Sequence, residues 1–93
     1  MSLFAVHYSY VNDTALLDEH RPAHRAFLRA LESSGLRAAG AYPGAEEPAA
    51  LLLMEAESSA AVAAMLESDP FLVHGALAQR HILLWDPPIG ILA

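Results

Sequence analysis

Two short segments carry side chains able to exchange a proton: Arg21-Pro22-Ala23-His24 and, 45 residues after His24, Asp69 within Ser68-Asp69-Pro70-Phe71. Histidine is the side chain whose ordinary ionisation lies nearest neutral pH. A carboxylate that holds one of its ring nitrogens leaves the other free to take or give a proton. His24 stands one helical turn before Phe27 and Leu28, a spacing that turns its ring toward a core and away from solvent. Burial there favours neutral imidazole, whereas a nearby carboxylate favours the charged form, so a partner such as Asp69 decides what the ring can do. A purely structural reading stands beside this one: a core histidine with satisfied hydrogen bonds, and a turn aspartate bonded to local backbone.

Other polar groups have weaker claims. Arg21 can clamp an anionic substrate, or stand solvated at a helix start. Tyr8 and Tyr10 alternate with His7 along one extended segment, sharing a face with Phe4 and Val6, and the Tyr8 hydroxyl can meet a substrate polar group or close the core. His20 and His24 have the spacing of two metal ligands on a helix, with Asp69, His74 or His81 to complete a set. However, the glutamate that follows the first histidine of a zincin helix is missing, and Pro22 disturbs the geometry. No metal is therefore expected. The five glycines are scattered, without a phosphate-binding loop, and no nucleotide or other cofactor is expected.

The elements that must position these groups follow from hydrophobic period and breakers. Leu3 to Tyr10 reads as a strand ending at Asn12-Asp13. Leu17, His24, Phe27, Leu28 and Leu31 fall at helical spacing before Gly35. Because an interior proline removes a helix hydrogen bond, the regular helix is expected from Arg21, with Leu16 to His20 as a preceding turn or separate short helix. Leu36 to Tyr42 and Ala50 to Ala56 form a hairpin around the Pro43 to Pro48 loop. Ser58 or Ser59 caps a second helix reaching Glu67, Asp69-Pro70 breaks it, and a turn through Gly75 leads to a strand from Leu77 to Trp85 before Pro87-Pro88.

The order β-α-β-β-α-β is that of a ferredoxin-like α+β domain, a four-stranded antiparallel sheet with two helices on one face. One domain over residues 1–93 is expected. Leu51-Leu52-Leu53-Met54 and Ile82-Leu83-Leu84-Trp85 are apolar at successive positions, so both faces of the sheet look buried. Two helices cover one face. A second copy of the chain is expected on the other, giving a homodimer or higher homo-oligomer; shielding by the apolar tail from Ile89 is the alternative.

Composition narrows the class further. The net charge is -6 and the five cations are arginines scattered along the chain, with neither a basic tail nor a basic run, so no nucleic-acid partner is expected. The chain contains no cysteine, so it has neither disulfides nor thiolate chemistry. No apolar run is long enough to span a bilayer, and a soluble, cytoplasmic protein is expected.

The whole chain resembles the YCII-related (YciI-like) family. The resemblance rests on Arg21-Pro22-Ala23-His24 with Phe27-Leu28, on Asp69-Pro70-Phe71, and on the matching order of the aromatic first strand, the Gly40 region, Leu51 to Glu55 and Ile82 to Trp85. It implies the dimeric α/β-barrel superfamily, and it implies that His24 and Asp69 match the family's suspected catalytic pair. It also implies proton-transfer or elimination chemistry on small cyclic or aromatic acids or phenols. The short Pro43 to Pro48 loop and the apolar tail depart from the family pattern.

The expected function is accordingly a cofactor-independent lyase or isomerase in which His24 moves a proton, Asp69 orients it, and Tyr8 or Arg21 positions a small molecule in a pocket near the dimer face of the sheet. The alternative is a noncatalytic small-ligand-binding module or accessory subunit.

Overall fold

The computed structural model describes all 93 residues. β1 (Ser2–Tyr10) is followed by α1 (Thr14–Ala30), which tightens into a 3-10 turn at Leu31–Ser33. β2 (Leu36–Ala41) and β3 (Ala49–Ala56) form the hairpin, and α2 (Ser59–Leu66), a single-turn α3 (Pro70–Val73) and β4 (Leu77–Trp85) complete the chain. The sheet order is β2-β3-β1-β4 with every pair antiparallel, which is the ferredoxin-like α+β fold.

Two expectations are corrected. α1 runs unbroken from Thr14, with Pro22 inside it; Leu16 to His20 is neither a separate helix nor a turn. The missing hydrogen bond at Pro22 falls on the exposed side, and both ends of the preceding segment are held. Asp13 caps the helix by accepting from the Leu16 N–H, and buried Leu17 packs with Phe71 and Ala76. The second correction is α3 itself, expected as a turn. Asp69 caps it and Pro70 opens it, the first-turn position where a proline costs nothing.

The core lies between the sheet and the helices. Phe4, Val6 and Tyr8 of β1 and Ala50, Leu52 and Met54 of β3 point into it, together with Leu28, Val62 and Leu66. The alternate residues emerge on the opposite face, where the register aligns Ala5 with Leu53 and Leu83, and His7 with Leu51 and His81. That face is uncovered: Leu83 is 54% exposed and Trp85 39%. The tail reaches only its Trp85 end, where Leu92 and Ala93 line a hollow with Leu3 and Trp85, while Ile89 and Ile91 are exposed.

Gly35 turns the chain from the 3-10 segment into β2 with φ 132°, and its carbonyl accepts from the Glu55 N–H. A Cβ there would lie 2.5 Å from the Glu55 carbonyl oxygen. Gly35→Ala is expected to cost about 2 kcal/mol or more, lowering Tm by roughly 10 °C. Gly40→Ala, whose Cβ meets nothing within 4 Å, should stay within about 0.5 kcal/mol of wild type. Thermal unfolding of the two variants checks the contrast.

Candidate active site

The groups singled out from the sequence converge where α1 and α3 meet the end of β1. Asp69 is fully buried, and its carboxylate is held from three directions. Oδ1 accepts from the Phe71 N–H at 3.0 Å, which is the capping bond of α3. The same oxygen lies 2.8 Å from His24 Nδ1. Oδ2 accepts from the Tyr8 hydroxyl at 2.9 Å. An ionised carboxylate has only acceptor sites, so this arrangement assigns the Nδ1 proton to His24 and leaves Nε2 without a protein partner.

The ring is also fixed in plane. His24 stacks on Phe71 with centroids 4.0 Å apart and planes at 8°, and Tyr10 meets the far side of the site by placing its ring edge-on to Phe71 at 5.6 Å. His24 is buried to 7% exposure, yet Nε2 is not among the fully enclosed polar atoms lacking a partner. It therefore retains a window onto the adjoining cavity. That cavity, about 300 Å³, is lined by His24, Tyr10, Arg21, Arg25 and Phe71 together with small residues of β2 and β3.

The cavity opens between α1 and the helix-covered side of the hairpin, where Ala39 pairs with Leu52 and Ala41 with Ala50. The expected location near the open sheet face is thus corrected: His24 is on the buried side of α1, and its ring can only face the layer between helix and sheet. Arg21 lines the cavity while pairing with Asp18 one turn earlier. Tyr8 does not line it; its side chain is wholly enclosed and its hydroxyl is committed to Asp69.

His20 stands apart from this site. Its ring stacks on His74 at 3.9 Å and 8°, joining α1 to the end of α3, while His24 turns to Asp69.

The structure adds Arg25, Phe71 and Arg80 to the surroundings of the site and brings Tyr10 to the cavity wall. Tyr10 shares the face of Tyr8 and Arg25 follows Arg21 by one turn, so both carried a periodic signal. Arg80 carried none. It pairs with Tyr8 across the β1–β4 ladder, and its Nη1 is buried with no protein partner.

Electrostatics keep the tyrosines protonated. Burial first, and then the Asp69 charge and hydrogen bond, push the Tyr8 hydroxyl far above the ordinary tyrosine value, with Arg80 pulling the other way. Burial and Asp69 also raise Tyr10, offset by Arg21. Both remain O–H donors through the neutral range.

A family model described as the YCII-related domain matches residues 2–86. The chain belongs to the YCII-related family. Among solved structures, this YCII-related chain is similar to the 5-chloro-2-hydroxyhydroquinone dehydrochlorinase from Burkholderia phenoliruptrix AC1100, in complex with 2,5-dihydroxybenzoquinone. That match has 26% identity and a TM-score of 0.78, covering 90% of this chain and 93% of the other. An antibiotic biosynthesis monooxygenase (15% identity, TM-score 0.58, 91% and 97% covered) and an uncharacterized NIPSNAP domain protein from Burkholderia xenovorans (13%, 0.57, 94% and 94%) share the fold. No curated protein matches. No helix of this YCII-related domain is long and apolar enough to cross a membrane.

The buried hydroxyl gives a stability test. The folded state keeps the Tyr8 proton at pH values where an unfolded tyrosine, with its ordinary value of 10.0, has lost it. The unfolded chain then binds fewer protons. The contribution is therefore complete below the unfolded value and is lost as pH rises above it toward the raised folded value. Tyr8→Phe should lower stability at neutral pH by about 2 kcal/mol, the cost of an unsatisfied carboxylate oxygen. It should also flatten the alkaline fall. Urea unfolding of both proteins across the alkaline range reads both effects.

Proposed function

We propose that this chain is a small-molecule enzyme of the lyase or isomerase type, acting by proton transfer at His24 Nε2. The observation that carries the reading is the His24–Asp69 contact at 2.8 Å, buried on the Asp69 side and open to a cavity on the other. Nε2 takes a proton from an acidic O–H or C–H of the substrate. The released electron pair either expels a leaving group, which is elimination, or is reprotonated elsewhere, which is isomerisation. Asp69 stabilises the imidazolium that forms, and the proton passes on to product or water. The balance closes without an oxidant or reductant.

Tyr8 and the Phe71 N–H act here as positioning groups, holding Asp69 while Asp69 holds the ring. Arg21 and Tyr10 stand at the cavity wall, where a cation and a neutral hydroxyl suit an oxygen-rich ring. The dehydrochlorinase similarity supports a hydroxylated aromatic or quinonoid substrate and loss of a halide or comparable leaving group.

The purified protein is to be assayed for chloride release from 5-chloro-2-hydroxyhydroquinone and related halogenated hydroquinones. His24→Ala should lower turnover by about a hundredfold or more and Asp69→Asn by a similar order, as removal of a general base and its orienting group does. Wild-type rates in both variants would end the proposal.

The open sheet face supports a second part of the reading, a homodimer formed through Leu51, Leu53, Leu83 and Trp85. An apolar face of this kind left to water is costly, and a twofold contact buries it on both copies. Light scattering at micromolar concentration should give twice the 10.0 kDa chain mass, and Leu83→Asp should shift the mass toward that of one chain. A wild-type protein of single-chain mass contradicts the dimer.

A further inference from the structure

Four of the chain's five arginines, Arg21, Arg25, Arg29 and Arg37, line one trench between α1 and β2. Its inner end is the cavity at His24. Its outer end is a second hollow of about 390 Å³ between Arg25, Arg29, Glu32 and Arg37, and the two hollows share Arg25, Leu28 and Ala39. In a protein of net charge -6, this concentrates nearly all the positive charge beside the one buried acid–base group.

The arginines differ in what they are free to do. Arg21 is paired with Asp18 and Arg37 with Glu55, whereas Arg25 and Arg29 have no carboxylate within 4.0 Å. Arg29 lies in the last turn of α1, where the helix dipole alone favours a cation. Arg25 is mid-helix and gains nothing there. Successive turns rise about 5.4 Å, so Arg25 and Arg29 can close on one anion from adjacent turns with their planar forks. Leu28 and Ala39 lie where the two hollows meet, giving an apolar path from the ring site to that anion position.

We infer that the trench binds the anionic tail of the substrate, so that the ligand class is a hydroxylated ring carrying a carboxylate on a short apolar linker. The ring sits at His24 and the carboxylate between Arg25 and Arg29, with Glu32 at the trench wall disfavouring a second negative charge beyond it. This rests on the acid–base reading of His24 and extends it to specificity.

The test uses three probes under anaerobic conditions: hydroquinone, hydroquinone carrying a propanoate tail, and the methyl ester of that acid. NMR follows the His24 ring and the arginine Nε–H signals. The acid should bind about tenfold more tightly than hydroquinone or the ester, as a charge-assisted contact predicts, and should shift His24, Arg25 and Arg29 together. In the Arg25→Gln/Arg29→Gln double variant the acid and its methyl ester should bind with equal affinity. Equal affinity of acid and ester for wild type, or a preference that survives in the double variant, overturns the subsite. Arginine shifts without a His24 shift overturn its connection to the ring site. In each of those cases a hydroquinone shift at His24 leaves the acid–base site standing, and no shift there by any probe removes both.

Discussion

The structure depends on the burial of one carboxylate. Removing an ionised group from water costs several kcal/mol unless it is paired and hydrogen-bonded, and Asp69 is wholly enclosed. Its partners come from three elements: Tyr8 from β1, His24 from α1, and the backbone of α3. Each would be left unsatisfied if its element moved. The same contacts that make the buried charge tolerable therefore fix the angle between α1 and the sheet and the start of α3. They also fix the imidazole, because a ring held at Nδ1 by Asp69 and stacked on Phe71 has lost both its rotation and its tilt.

This geometry divides the sheet into two working surfaces. The helix-covered face encloses the carboxylate, the histidine and the cavity, while the opposite face presents Leu83 and Trp85 as exposed apolar side chains beside the half-buried Leu51 and Leu53. The strict alternation of strand side chains thus puts the proposed acid–base site and the proposed dimer contact on different sides of β1 and β3.

Much of the fold was legible because it rests on period and punctuation. The alternation in β1 and β3, the helical spacing of Leu17, His24 and Leu28, and the Ser58 cap all act over a few residues. The unbroken start of α1 is not legible there, because Pro22 is a local signal and the burial of Leu17 against Phe71 and Ala76 that outweighs it comes from far along the chain. At the site, His24 was visible from its place on the apolar helix face and Asp69 from the proline after it. The hydroxyl of Tyr8 was not assignable in advance. Strand alternation gives the face a tyrosine takes, but which group its tip meets depends on an acid 61 residues away. Arg80 was invisible for the same reason, its meaning arising only from the register that sets it beside Tyr8.

The central claim is that Asp69 fixes the proton of neutral His24 on Nδ1 and leaves Nε2 as the free base. Nitrogen-15 NMR of the imidazole reads this directly. The account predicts the Nδ1–H tautomer in the wild-type protein, and loss of that preference in Asp69→Ala, which leaves Nδ1 without its acceptor. An Nε2–H tautomer in the wild type, or a tautomer unchanged by Asp69→Ala, would contradict it.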